Sequence, residues 1–369
     1  MSLAQKTLTG ERRRPEFHAL TVREVGKETP EAASVAFAVP PHLADDYRFI
    51  QGQYLTLRAK VNGEELRRPY SLCVSPDAGE LRVCVKKLHH GRFSTFVNEV
   101  LKAGDSIEVM GPMGRFHAPI EPGAAKSYLF MAGGSGITPV ISNIRHILAH
   151  EPRAQVTLFY GNRRSRDIIF REGLADLKDR YIDRFGVFHV LSDEMTEVPL
   201  FSGLMTADKV TELAGRLIDV KSLDWAFICG PGPMMDGGRA ALMGLGVVDE
   251  RIRIESFGER PVAGAAPGGL AAKAAAPSAS VEIIHHGVRK TILVPYGGKA
   301  ILDAAHDENI DVPYACKGGV CCTCRARLVK GKVAMDVVYG LEPDEIAAGY
   351  ILTCQSHPKS ARLVVDYDG

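Results

Sequence analysis

Three hydrophobic patterns follow one another along the 369-residue chain. Between residues 16 and 118 the apolar segments are short and are separated by turns that contain glycine, a rhythm typical of antiparallel strands. The clearest of these segments span residues 54–59, 70–74, 81–88 and 106–110. We therefore predict a small antiparallel β-barrel over residues 16–118.

From residue 119 to residue 260 the rhythm changes to strand, turn and helix. Apolar runs at residues 127–132, 156–161 and 225–230 are each followed by a turn and by a segment with helical character. Strands that alternate with helices form parallel sheets, because a crossover is needed to return the chain to the same edge. This region is predicted to be an α/β domain with a parallel sheet.

A composition shift separates this domain from the rest of the chain. Over residues 261–280, 17 of 20 residues are Ala, Gly, Pro or Ser, and no apolar periodicity remains. Such a segment is typical of a flexible linker. Residues 281–369 then show a hairpin pattern, one helical stretch, a cysteine-rich loop and closing strands, which predict a small α+β domain of the β-grasp type.

Charge and hydropathy narrow the classes of partner. The chain has 45 basic and 44 acidic residues, so no overall field attracts nucleic acid or an anionic membrane. No run of about 18 apolar residues occurs, and the N-terminus lacks the apolar core of a secretory signal. We expect a cytoplasmic protein that binds small ligands and proteins, and neither nucleic acid nor a membrane.

Five of the eight cysteines lie between residues 316 and 354. Cys316, Cys321 and Cys324 have the spacing C-x4-C-x2-C, and 29 residues separate Cys324 from Cys354. This is the ligand spacing of a plant-type 2Fe-2S cluster. Zinc is the alternative, but zinc sites normally show paired C-x2-C units or histidines. Cys322 is out of register and is predicted not to be a ligand.

Two small residues support this assignment. Gly318 and Gly319 allow the loop to fold closely enough for backbone amides to face the cluster. The segment from residue 314 to residue 369 resembles the plant-type ferredoxin domain. The resemblance implies that the four cysteines 316, 321, 324 and 354 hold a 2Fe-2S cluster.

A second motif, at residues 68–71, ends a predicted barrel strand. The guanidinium of Arg68 suits a phosphate, the ring of Tyr70 suits stacking on an isoalloxazine, and the hydroxyl of Ser71 suits a hydrogen bond to a flavin. An exposed strand end is the alternative. A turn into a helix follows at residues 90–95, and its free N–H groups suit a pyrophosphate. The residues predicted to bind FAD are Arg68, Pro69, Tyr70, Ser71, Val85, Gly91, Arg92, Phe93 and Ser94.

Together with the segment GPMGRF at residues 111–116, these motifs resemble the ferredoxin-NADP reductase superfamily from residue 16 to about 258. The resemblance implies FAD on the barrel and a nicotinamide dinucleotide on a Gly-rich turn. Such a turn follows the strand at 127–132 and opens a helix, so bare amides can approach phosphates. The residues of this turn predicted to bind the dinucleotide are Gly133, Gly134, Gly136, Thr138 and Pro139. Gly230, Pro231 and Met234, in the segment that follows the apolar run WAFI, are predicted to bind it as well.

The same resemblance implies roles for three catalytic residues. Cys229 is expected beside the nicotinamide, Glu255 is expected close to the flavin together with Phe257, and Ser71 is expected to hydrogen-bond the flavin. A buried strand-end cysteine is the alternative for Cys229. A barrel-facing strand end is the alternative for the segment that carries Glu255.

The choice between NADPH and NADH rests on residues 162–166. Asn162, Arg163 and Arg164 follow a predicted strand, and guanidinium groups there suit a ribose 2'-phosphate. Asp193 and Glu194, after the next strand, are carboxylates that such a phosphate would avoid. We expect NADPH, with NADH as the alternative.

The domain order resembles the reductases of phenylacetyl-CoA epoxidases and related oxygenases. It implies that electrons pass from NADPH through FAD and a 2Fe-2S cluster to a di-iron oxygenase component. The flexible linker further predicts that the ferredoxin domain swings between the flavin and this acceptor. The reductase of another aromatic-ring hydroxylase or of a fatty-acid desaturase is an alternative. A non-catalytic electron carrier or metal-binding module is an alternative of a different class.

Overall fold

The computed structural model describes residues 16–257, 277–338, 340–341 and 343–369 of the chain. Residues 17–113 form a six-stranded antiparallel sheet in the order β4-β3-β6-β1-β2-β5. A bridge between Leu72 and Val83 joins the two edges and closes the sheet into a barrel. The elements are β1 (Phe17–Thr29), β2 (Ala32–Ala38), β3 (Tyr54–Val61), β4 (Glu64–Ser71), β5 (Leu81–Lys86), α1 (Arg92–Glu99) and β6 (Ser106–Met113).

Apolar residues, which alternate with polar ones along the strands, fill the inside of the barrel, as the sequence predicts. Leu20, Val35, Leu57 and Val109 are fully buried in this core. One predicted strand is misplaced, because only the first two residues of the segment 70–74 belong to a strand. That strand, β4, begins six residues earlier, in a polar stretch after an Asn-Gly turn with positive φ angles that favours a tight hairpin.

The second domain has five parallel strands in the order β11-β10-β7-β8-β9. Helices connect these strands, and fully buried Leu129, Phe130 and Ile141 lie in its core. The elements are β7 (Ser127–Gly133), α2 (Ile137–His150), β8 (Gln155–Asn162), α3 (Arg171–Arg180), β9 (Phe185–Leu191), α4 (Ala207–Leu217), β10 (Trp225–Cys229), α5 (Gly232–Gly244) and β11 (Ile252–Glu255). The carboxyl ends of these strands meet at one edge, where ligands of open α/β sheets bind.

The third domain is a mixed sheet in the order β13-β12-β18-β14-β16, with a small β15-β17 pair. Buried Ile301 and Leu302 pack a helix against this sheet. The elements are β12 (Ser278–His285), β13 (Val288–Pro295), α6 (Ile301–Asp307), β14 (Arg325–Lys330), β15 (Val333–Met335), α7 (Pro343–Ala347), β16 (Tyr350–Leu352), β17 (Ser356–Pro358) and β18 (Arg362–Asp366). The predicted fold class, with its barrel, parallel sheet and α+β ferredoxin domain, is confirmed.

The predicted linker, residues 261–280, is partly wrong at its end. Residues 261–276 lie outside the described residues, whereas Ser278–Ser280 belong to β12. The prediction placed these residues in the linker because they are small. In the structure, Ala279 is buried in the sheet and pairs with Val294. Among the described residues, no helix combines the length and apolar character needed to span a membrane.

Candidate active site and cluster loop

The cysteine loop between α6 and β14 folds around its own sulfur atoms. The amide of Gly318 donates to the Cys316 sulfur at 3.3 Å, and the amide of Cys316 donates to the Cys321 sulfur at 3.4 Å. The turn requires positive φ at Lys317, Gly319 and Cys322. A Cβ atom on Gly319 would lie 2.5 Å from Val337, so glycine is needed there. The loop therefore directs amide donors at sulfur, as a cluster site requires.

The four predicted ligands lie as two pairs. Cys316 and Cys321 hydrogen-bond through their thiols, and so do Cys324 and Cys354. The hydrogen bond from Cys321, helped by loop amides, lowers the pKa of Cys316 to about 6. Across the described chain, no three of these sulfurs lie within 4.8 Å of one another. A tetrahedral zinc ion would hold all four sulfurs roughly 3.8 Å apart, so two pairs fit a two-iron cluster better.

Cys322 has a different position. Its thiol donates to the carbonyl oxygen of Gly340, and burial raises its pKa to about 12. Its sulfur is thus directed to a backbone carbonyl and belongs to neither of the two thiol pairs. This position agrees with the prediction that Cys322 is not a ligand.

The cluster loop packs against the barrel. The phenol of Tyr54, on β3, donates to the carbonyl oxygen of Cys321. It also lies 3.3 Å from the hydroxyl of Thr323. Tyr54 forms a small apolar contact with Ala315, Cys321, Met113 and Cys316. No sequence pattern predicts this contact, because Tyr54 has the alternation of a core residue and its partner lies 267 positions away.

Two charged contacts flank this apolar contact. Buried Arg67 bonds Asp311 at 3.1 Å and stacks on the ring of Tyr314 with its guanidinium carbon 4.4 Å from the ring centroid. Arg115 lies 3.1 Å from Glu345. Both arginines belong to the barrel domain and their partners to the ferredoxin domain, so the two surfaces are complementary in charge.

The predicted flavin motif lies at the end of β4, the strand that pairs with β3. Tyr70 lies with its ring 5.9 Å from that of Phe93, measured between centroids. Gly91 caps α1, and a Cβ atom there would lie 2.4 Å from the Ser94 hydroxyl. That hydroxyl accepts from the amide of Leu88 and donates to the carbonyl oxygen of Gly91. The first-turn amides of α1 have no partner within the helix, which suits a phosphate.

Four other residues predicted to bind FAD lie in different surroundings. Val85 is fully buried in the barrel core, so only its backbone can face a ligand. Arg92 bonds Glu64 at 2.6 Å and the carbonyl oxygen of Val61 at 3.0 Å. Arg68 is exposed and donates to the carbonyl oxygen of Arg67, while Pro69 beside it is half-buried.

The three predicted catalytic residues converge where the barrel meets the parallel sheet. The Ser71 hydroxyl donates to Glu255 at 2.9 Å, and Glu255 is the register partner of Cys229 on the adjacent parallel strand. Burial raises the pKa of Glu255 to about 7. Burial, reinforced by the Glu255 charge, also raises the pKa of Cys229. Phe257, just beyond, is 42% exposed and is free to pack on a ligand.

The Gly-rich turns after β7 and β10 touch through their backbones. A Cβ atom on Gly136 would lie 2.0 Å from the Cys229 carbonyl oxygen, and one on Gly133 would lie 2.6 Å from Pro231. A Cβ atom on Gly230 would lie 2.7 Å from the side chain of Met234. The turn also includes Gly134, whose φ is positive, and buried Thr138 and Pro139 at the start of α2. Bare backbone at this point fits a dinucleotide phosphate.

The edge predicted to hold the 2'-phosphate is of mixed charge. Asn162 is buried and its carboxamide makes no hydrogen bond to the described residues. Arg163 lies 3.2 Å from Glu31, so its charge is already paired. Arg164 is exposed. Glu194 accepts from the amide of Ser165 at 2.8 Å, which turns one carboxylate toward the loop.

Comparison with known proteins agrees with this arrangement. The chain matches the oxidoreductase FAD-binding domain over residues 19–118, the oxidoreductase NAD-binding domain over 130–239 and the 2Fe-2S iron-sulfur cluster binding domain over 283–359. It is 43% identical to a subunit of the 1,2-phenylacetyl-CoA epoxidase of Escherichia coli, over 95% of this chain and 98% of the relative.

The chain belongs to the family of FAD- and 2Fe-2S-containing oxygenase reductases. The ferredoxin reductase component of 3-ketosteroid-9-alpha-monooxygenase from Rhodococcus rhodochrous is 34% identical, over 94% of this chain and 96% of the relative. Phthalate dioxygenase reductase, a solved structure, aligns with a TM-score of 0.58 at 26% identity, over 95% of this chain and 98% of that chain. The predicted FAD, nicotinamide and 2Fe-2S cofactors and the oxidoreductase class are confirmed.

Proposed function

We propose that this reductase takes electrons from NADPH and passes them through FAD and the 2Fe-2S cluster to the oxygenase component of a phenylacetyl-CoA epoxidase. One observation carries the electron path. Tyr54 is the cross-strand partner of Ser71 and hydrogen-bonds the carbonyl oxygen of Cys321. A flavin at Ser71 and a cluster at Cys321 are therefore separated by a single tyrosine.

The flavin site supports two-electron input from a nicotinamide and one-electron output to a cluster, which is the chemistry that bound FAD supplies. The protein contributes position and exclusion of water. The Ser71 hydroxyl donates to the Glu255 carboxyl, and this hydrogen bond would orient both side chains at the edge of a bound flavin. Cys229, with its raised pKa, offers a neutral thiol that sits beside the nicotinamide without repelling charge.

The preference for NADPH rests on Arg164. It is exposed beside Asn162, whose carboxamide has unused hydrogen-bonding capacity. Arg163 is engaged by Glu31, so exposed Arg164 and Arg166 are the cations of this segment that remain for a 2'-phosphate, and Arg164 follows Asn162 more closely. A guanidinium can bind a phosphate through two hydrogen bonds.

The acceptor rests on the relatives. The epoxidase protein of Escherichia coli is 43% identical over nearly the whole chain, whereas the ketosteroid monooxygenase component is 34% identical. The reductase subunit of glycine betaine monooxygenase from Pseudomonas aeruginosa is 30% identical over 95% of both chains. The epoxidase acceptor is therefore favoured over the other oxygenases.

Reconstitution tests this proposal. The purified reductase, the oxygenase component of a phenylacetyl-CoA epoxidase and phenylacetyl-CoA are combined with NADPH in air, and both NADPH and phenylacetyl-CoA are followed. We expect their consumption to be coupled, and to be at least about tenfold faster than with the oxygenase component of 3-ketosteroid-9-alpha-monooxygenase and its steroid. Equal or faster turnover with the steroid system contradicts the acceptor.

A further inference from the structure

A cluster of potential metal ligands lies at the junction of the barrel and the parallel-sheet domain, away from all three cofactor sites. Asp77 belongs to the turn Pro76–Ala78 before β5, and His146 and His150 lie one helical turn apart on α2. The Asp77 Oδ2 atom is 2.9 Å from His146 Nδ1 and 2.6 Å from His150 Nε2. Within the described chain, these side chains form a group of three whose ligand atoms all lie within 4.8 Å of one another.

The donor set suits a transition metal. Residues four apart on a helix share one face, so both imidazoles point to the same place, and their ring centroids are 4.3 Å apart. Two imidazoles and one carboxylate are ligands that zinc accepts. The hydroxyl of Ser75 lies 3.1 Å from both His146 Nδ1 and Asp77 Oδ2, and offers a fourth ligand atom.

A small movement of these side chains makes room for an ion. Around tetrahedral zinc with ligand bonds of about 2.0 Å, ligand atoms lie roughly 3.3 Å apart. The present separations are 2.9 and 2.6 Å, so a movement of under about 1 Å by the side chains admits a cation. Asp77 is 56% exposed and His150 42%, whereas His146 is held in place at 14%. The two exposed ligands leave a path from solvent to the site.

We propose that Asp77, His146 and His150 bind one divalent transition cation of the zinc class, with Ser75 or water completing the coordination. The site joins two domains, because Asp77 comes from the barrel and both histidines from α2. That helix begins at the Gly-rich nucleotide turn and ends about 20 Å away at His150. A bound ion fixes this helix, and hence the nucleotide turn, to the flavin barrel.

The test uses the full-length holoprotein at pH 7.5. It is dialysed against low micromolar zinc, and zinc and iron are measured per chain for wild type, Asp77→Asn, His150→Gln and the control His42→Ala, an exposed histidine of the barrel domain. We expect one zinc in wild type and the control, more than about tenfold weaker zinc binding in the two variants, and the same iron content in all four.

A second measurement distinguishes the site from a simple ion pair. Zinc is expected to raise the thermal midpoint of wild type and His42→Ala but not that of Asp77→Asn or His150→Gln. The proposal is overturned if wild type binds no zinc, or if the variants bind zinc with the affinity of wild type. It is also overturned if zinc displaces iron, because the ion then occupies the cysteine loop.

Discussion

The phenol of Tyr54 on the barrel donates to the main-chain carbonyl oxygen of Cys321 in the cluster loop. Tyr54 also pairs across the hairpin with Ser71, the serine proposed to contact the flavin. The hydrogen bond therefore holds the loop of the proposed cluster site against the hairpin of the proposed flavin site. Its loss affects transfer between these sites without touching the nucleotide site.

Tyr54→Phe tests this role. The ring and its packing remain, but the hydrogen bond, worth about 1 kcal/mol, is lost. We expect electron transfer from flavin to cluster to slow about threefold to tenfold in anaerobic stopped-flow spectroscopy, with reduction of the flavin by NADPH unchanged. The control is Tyr47→Phe, whose hydroxyl bonds Val109 within the barrel. Equal slowing in both variants points to loss of barrel stability instead.

Cys324→Ser is expected to abolish the 2Fe-2S cluster, because Cys324 and Cys354 form one of the two thiol pairs. Iron content and the visible iron-sulfur bands measure the loss, while the flavin band remains. The matched control is Cys322→Ser, two residues away, which is expected to keep its iron. Loss of iron in Cys322→Ser with retention in Cys324→Ser refutes the ligand assignment.

Cys229→Ala removes the buried thiol next to Glu255. We expect the rate of flavin reduction at saturating NADPH to fall by about tenfold or more, because the nicotinamide loses a positioning contact. Cys84→Ala, also buried but in β5, removes the same atoms elsewhere and is expected to keep the rate. If Cys229→Ala reduces its flavin as fast as wild type, Cys229 is only a core residue.

Glu255 makes stability depend on pH. Burial raises its pKa to about 7 from 4.5, against the opposing hydrogen bond from Ser71. A raised carboxyl pKa favours the folded state below pH 4.5, and this contribution is lost as the pH rises through 7. In flavin-free protein, Glu255→Gln is therefore expected to gain stability over wild type by up to about 3 kcal/mol between pH 4.5 and 8.

Denaturant unfolding of the two proteins at several pH values measures this difference. The control is Glu250→Gln, an exposed glutamate a few residues earlier, for which we expect a difference independent of pH. A flat difference for Glu255→Gln as well contradicts the raised pKa.

Arg164→Ala is expected to weaken NADPH without weakening NADH. A charged hydrogen bond to phosphate is worth about 1.5–3 kcal/mol, so the ratio of kcat/KM for NADPH to that for NADH should fall at least about tenfold. Steady-state assays with ferricyanide as acceptor give this ratio. Arg180→Ala, at the end of α3, is the control. An unchanged ratio in Arg164→Ala excludes this residue from cofactor selection.

Much of the architecture follows from local sequence. Apolar alternation predicts the barrel, strand-helix alternation predicts the parallel sheet, and the spacing of Cys316, Cys321 and Cys324 predicts the cluster loop, because each pattern reflects neighbours in the chain. The start of β4 was missed because its residues are polar and its pairing depends on the Asn62 turn.

Contacts between domains cannot be predicted from such local patterns. Tyr54 meets Cys321 across more than two hundred residues, and Asp77 meets His146 and His150 across the domain junction. Neither contact corresponds to a repeated pattern of apolar and polar residues in the sequence. Arg163 is a similar case. The sequence predicts that its guanidinium binds a phosphate, but its ion pair with Glu31 of the other domain could not be predicted from neighbouring residues.

The central claim is that electrons from NADPH reach the cluster through the flavin of the same chain. Anaerobic NADPH is added to the holoprotein and to protein stripped of FAD, and the reduced cluster is measured by low-temperature electron paramagnetic resonance. We predict the signal of a reduced 2Fe-2S cluster in the holoprotein, its absence without FAD, and its return when FAD is restored. A cluster that stays oxidised while the flavin is reduced, or one that is reduced without FAD, contradicts the account.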